Sequence, residues 1–150
     1  MTQSITIVSQ KYLRNVMIIT TAFFIIIALI ISYIDAKKGL IPDKIILPAI
    51  AILIVLKYFD NVLSIYDFIA AGIVLVLFVI PIALNMAFGG GDLRFGVFCA
   101  LYVGLNSVGY FILLAGVIHL LFLLLLKKRS FGFAPAMSIA ALLSYSIGSL

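Results

Sequence analysis

The chain has 150 residues, of which 66% are hydrophobic and 10% charged, with a mean hydropathy of +1.38. A soluble domain is about half apolar and a quarter charged, so the composition excludes a water-soluble globule and specifies an all-α membrane protein in a lipid bilayer. The net charge of +5 sits at the ends of apolar runs, where it orients helices across a bilayer instead of marking a nucleic-acid partner.

Apolar runs approaching the roughly 20 residues of a spanning helix fall at 16–34, 45–63, 68–85, 93–106, 110–126 and 135–150. Together they nearly exhaust the chain. The expectation is one domain over residues 1–150, a compact bundle of about six transmembrane helices with short connections. Lys11 and Arg14 ahead of the first run could open a secretory signal, but no small-residue cleavage site follows and the run exceeds a signal core. It is therefore read as a transmembrane helix. Alternating connections place Lys37, Lys38, Lys44, Arg94, Lys127, Lys128 and Arg129 on one face, and Lys11, Arg14 and Lys57 on the other. Seven against three puts the first face in the cytoplasm and both termini outside.

All five acidic residues are Asp. Asp35 closes the first span, on one helical face with Ala28 and Ser32, in the stretch IDAKKGLIPD. Ile41, Pro42 and Asp43 follow; proline fixes its own φ and extends the residue before it, so this step ends the helix and turns the chain. Asp60 and Asp67 flank the next connection, KYFDNVLSIYD, and are read as solvated loop charges.

Asp92 opens the fourth span in FGGGDLRFG, behind Gly89, Gly90 and Gly91. Three glycines remove every side chain from the approach, permit positive φ and let another chain come close. Below Asp92 run Gly96, Ala100 and Gly104 at steps of four, and the last span carries Ala136, Ala140, Ser144 and Gly148. Small-residue faces of this kind let helices pack tightly in lipid, so both Asp35 and Asp92 are expected to point into the bundle at the cytoplasmic edge. His119, within the fifth span, is read as a neutral hydrogen-bonding partner between helices. Cys99, the single cysteine, is read as a packing residue without disulfide, and one His with no Glu leaves no metal site; no metal and no cofactor is expected.

A carboxylate pair can share one proton. The ionised member then activates water while the protonated one polarises a peptide carbonyl. The residues IDAKKGLIPD, GGGDLRFG and FGFAPAM together resemble the type IV prepilin peptidases, membrane aspartyl proteases of the GxGD type. The resemblance covers roughly residues 28 to 145. It implies catalytic roles for Asp35 and Asp92, with Arg94 where the family's GxGDxK motif has Lys, and Phe131, Gly132 and Pro135 matching a late family stretch. It further implies removal of a short basic leader from a prepilin or prepilin-like membrane protein, after a glycine, at the cytoplasmic face.

Gly89, Gly90, Gly91, Arg94, Ile41, Pro42 and Asp43 then form a substrate-access loop, in which Asp43 could attract a basic leader. Bifunctional members carry an added cytoplasmic region with paired cysteines, so the expectation here is peptidase without N-methyltransferase, as in the short members of tight-adherence and archaeal systems. Three other readings stay open: a GxGD intramembrane protease of the presenilin or signal-peptide-peptidase sort, a proton or cation transporter using the two Asp, and a non-catalytic scaffold of a pilus or secretion machine.

Overall fold

The computed structural model describes residues 2–84, 89–127 and 132–148, with side chains from Ile18 onward except at 81. Among these residues the structure is all-helical: α1 (Thr2–Lys38), α2 (Asp43–Phe59), α3 (Ile65–Ala83), α4 (Gly90–Val103), α5 (Leu105–Leu126) and α6 (Ala134–Gly148). Five of the expected runs map mainly onto α1, α2, α3, α5 and α6, while the run 93–106 crosses from α4 into α5 and the run 45–63 continues past the end of α2. Two segments, Ile18–Lys38 of α1 and Leu105–Leu126, are long and apolar enough to cross a membrane; the other helices are shorter or less uniformly apolar. Large apolar side chains such as Leu29, Leu84, Leu113 and Leu124 lie exposed on the outside of the bundle. Water would not tolerate so much exposed apolar surface, whereas lipid accepts it.

Two boundaries differ from the sequence reading, each for a local reason. α1 begins at Thr2 and spans 37 residues, about 55 Å at 1.5 Å per residue, well beyond the apolar run itself. α5 starts at Leu105 because Gly104, with φ +78°, turns the chain directly from α4 into α5. A residue with a Cβ is strained in that conformation.

The core is an aromatic ladder threaded through small-residue contacts. Phe24 of α1 stacks on Phe98 at 5.2 Å and on Tyr102 at 3.9 Å, and Tyr102 stacks in turn on Tyr145 of α6 at 4.7 Å. Ring pairs of this kind add about 0.5–1.5 kcal/mol each beyond area burial. The expected small faces do pack: Ala136, Ala140 and Ser144 are fully buried. A Cβ on Gly148 would lie 3.2 Å from Ser107 Cβ and closer still to its Oγ, and one on Gly96 would strike the Phe78 ring of α3. Ser32 and Ser138 share a 2.8 Å hydrogen bond that ties α1 to α6. Cys99 is buried and unpaired, as a packing residue should be.

At the end of the bundle where α2 meets α3, the reading of Asp67 as a solvated loop charge is corrected. Lys57 and Asp67 are 8% and 6% exposed and form an ion pair at 2.9 Å. Lys57 also donates to the Leu101 carbonyl at 2.8 Å, and Asp67 accepts the Ser64 N–H at 2.9 Å in a capping box that starts α3. The pair joins α2, α3 and α4. Asp60 too has a partner, accepting from Thr20 Oγ1 of α1 at 3.2 Å. Charge bias at that end therefore rests on fewer free cations than the sequence count assumed.

Candidate active site

At the opposite end of the bundle, α1 finishes, α2 and α4 begin, and α6 begins. Gly39 (φ +61°) closes α1 by donating its N–H to the Asp35 carbonyl at 2.7 Å. Pro42 then caps α2 in an extended conformation, its carbonyl accepting the Ile45 N–H at 3.0 Å. The Ile-Pro step thus makes the turn its dihedral limits demand.

Asp35 is 4% exposed and held by the start of α6, where the Ala134 N–H donates to its Oδ2 at 2.9 Å. The first four N–H groups of a helix have no intrahelical acceptor, so a carboxylate satisfies one of them and gains from the positive end of the helix dipole. Gly132, two residues earlier, lies flat against the same carboxyl. A Cβ there would stand 2.6 Å from Asp35 Cγ and nearer still to Oδ2. The late glycine of the FGFAP stretch is therefore a spacing requirement of Asp35, which the sequence alone did not reveal. Phe131, Lys128 and Arg129 lie outside the described residues, as does the MAF segment before Gly89.

Asp92 occupies the first turn of α4, half-buried, and its Oδ2 accepts the Gly89 N–H at 3.1 Å. The expected glycine loop is largely helical instead: Gly90 and Gly91 belong to α4, and Gly89 has φ −91°. The reason for Gly91 is close approach, not positive φ. A Cβ there would meet Ile41 Cβ at 2.8 Å, so this glycine lets α4 settle on the Ile-Pro turn. Ile41 is buried beneath it. Asp43 and Arg94, each about half-exposed, form an ion pair between α2 and α4. Asp43 is thus already engaged, which replaces the picture of a free carboxylate awaiting a basic leader.

Ile41 lies in the turn that follows α1 and packs on Gly91, the residue before Asp92, so the helix end that carries Asp35 and the helix start that carries Asp92 meet at this turn.

His119 was missed as a neighbour of this end. It faces Phe133, ring centroids 4.7 Å apart and edge-on, and lies within electrostatic reach of Asp35. Its Nδ1 is buried without a hydrogen-bond partner, so the expected interhelical bond is not made through that nitrogen. Spacing in α5 held no signal for this; only the fold brings α5 beside the α6 start. No group of three or more His, Cys, Asp or Glu suited to a metal occurs among the described residues.

The described residues thus form an all-helical apolar chain with two carboxylates, Asp35 and Asp92, at one end of the bundle. The comparison with family models makes this specific: residues 22–124, more than half the chain, match the type IV leader peptidase family. The chain belongs to that family, which makes it a leader peptidase-like protease, and two of its helices are long and apolar enough to cross a membrane. Comparison with curated proteins and with solved structures gave no match in either case.

Proposed function

We propose that this chain is a membrane-embedded aspartyl endopeptidase that cuts the short basic leader from prepilins or prepilin-like proteins, with Asp35 and Asp92 as its catalytic residues. One observation carries the reading: the two carboxylates come from α1 and α4 yet share one end of the bundle, where Ile41 after α1 packs on Gly91 beside Asp92 and the start of α6 holds Asp35. When substrate brings the two acids together they share one proton. The ionised member takes a proton from water as the water oxygen bonds to the peptide carbon, and the protonated member gives its proton to the carbonyl oxygen. Collapse of the tetrahedral gem-diol breaks the C–N bond: the nitrogen leaves with the proton of the protonated member, one diol hydroxyl gives its proton to the ionised member as the new carboxyl forms, and the pair again holds one proton.

All six helices span the bilayer in this reading, as one domain with both termini outside, so that the aspartate end faces the cytoplasm. That edge admits water, which the hydrocarbon centre does not. Gly89 and Gly90 keep side chains away from the approach to Asp92 where the substrate arrives, Gly91 seats α4 on the Ile41-Pro42 turn, and the Arg94–Asp43 pair holds α4 against α2 beside it. The substrate is an apolar helix whose leader emerges at this face.

The reading is tested with purified protein in bilayers and a leader-bearing prepilin-type peptide, followed by mass spectrometry. Products whose masses sum to the substrate plus one water support it. Intact substrate together with ion flux across the vesicles supports the transporter instead. Gly132→Ala should lower cleavage about tenfold or more, because an off-position catalytic group costs on the order of 10²-fold per ångström. Activity equal to the parent would mean that Asp35 does not depend on that close contact.

A further inference from the structure

The substrate must unwind to be cut. Inside a bilayer each main-chain N–H or C=O freed from a helix costs several kcal/mol unless something else pairs with it. A peptidase working at the membrane edge therefore needs polar groups in its wall that are vacant at rest. Among the described residues, one buried side-chain nitrogen or oxygen has no hydrogen-bond partner: His119 Nδ1.

Its position is not that of a stray core histidine. The ring stands edge-on to Phe133, with centroids 4.7 Å apart and planes at 88°. Phe133 connects Gly132, which lies flat on the Asp35 carboxyl, to Ala134, whose N–H donates to it. His119 and Asp35 thus flank the same three-residue segment from opposite helices, α5 and α1, and each senses the other's charge. The surrounding turns of α5 present Leu120, Leu121 and Leu124 outward. A leucine or phenylalanine at 119 would satisfy packing there without an unpaired polar atom, and native structures keep few such atoms without a purpose.

We propose that His119 is a substrate-binding residue of the leader peptidase site, its Nδ1 pairing with a main-chain amide group of the unwound segment next to the scissile bond; the proposal rests on the peptidase reading above. Neutral imidazole suits this role because each ring nitrogen is committed to one function, donor or acceptor. The histidine holds the peptide beside Asp35, so it acts on binding more than on the chemical step.

Steady-state cleavage of a leader-bearing peptide by His119→Leu and His119→Asn tests it, since Asn can place a polar atom near the Nδ1 position. His119→Leu should raise KM about tenfold with kcat within about threefold, and His119→Asn should bring KM back to within about threefold of the parent. A parent-like KM in His119→Leu overturns the proposal, as does a loss confined to kcat. Failure of His119→Asn to restore KM overturns it too, by assigning the effect to packing. If His119→Leu does not accumulate, His119→Phe takes its place in the same comparison. A parent that cleaves beside a His119→Leu of unchanged KM removes only the histidine's role; a parent that cleaves no prepilin-type peptide removes the reading beneath it.

Discussion

Asp92→Asn lowers leader cleavage at least about 10³-fold, as does Asp35→Asn, and both variants still accumulate as folded protein. Asparagine is nearly isosteric with aspartate and its amide oxygen can still accept from the Gly89 and Ala134 N–H groups, at 3.1 Å and 2.9 Å. The hydrogen bonds that start α4 and anchor α6 therefore survive, and what disappears is the ability to take and return a proton. General acid–base catalysis contributes about 10²–10⁴-fold per group, and the two groups of a coupled pair fail as a unit. Asp35→Asn/Asp92→Asn combined should accordingly be no slower than either single variant by more than a few-fold. Initial rates on a prepilin-type peptide, normalised to folded protein, decide the matter; either single variant within tenfold of the parent contradicts the assignment. A scaffold would leave both variants silent.

Lys57→Met destabilises the fold by about 3–5 kcal/mol, the usual cost of removing one partner from a buried ion pair. The side chains of Lys57 and Asp67 are 10% and 9% exposed, so loss of the ammonium leaves a largely buried Asp67 with the Ser64 N–H at 2.9 Å as its remaining partner. It also strands the Leu101 carbonyl near the end of α4. The partner change tells the mechanism. Lys57→Met/Asp67→Leu removes both charges together, and apolar replacement of a whole buried pair is often neutral or better, so the double variant should recover most of the loss. Unfolding in mixed detergent measures both. Because this pair lies at the end of the bundle away from Asp35 and Asp92, cleavage per folded molecule should stay close to that of the parent. Equal stability of Lys57→Met and the parent would mean that the pair is solvated in the protein.

Much of this arrangement is legible in the chain because lipid simplifies the problem. Apolar runs locate helices, Pro42 and the small-residue faces locate a turn and the close contacts, and the alternation of connections places Asp35 and Asp92 at one end. What the chain did not disclose depends on three-dimensional neighbours. Asp67 looks like a loop charge because it sits at a helix end, and only the α2–α3 turn brings the Lys57 ammonium to its carboxylate. The Ser64-x-x-Asp67 capping pattern was a readable hint that Asp67 belongs to a helix start. Gly91 was read for its conformational freedom, yet it is there because Ile41 leaves no room for a Cβ. Gly132 and His119 have no periodic signature at all: their importance comes from the α6 start folding over Asp35.

The central claim is that the carboxylates of α1 and α4 form one site, and a thiol cross-link measures this directly. In a Cys99→Ala background, Asp35→Cys and Asp92→Cys would be combined and treated in membranes with a short bifunctional thiol reagent, then digested and weighed. The account predicts a mass for the two joined peptides, formed from the cytoplasmic side. Thiols that never join, and that react with impermeant reagents from opposite faces of the membrane, contradict it.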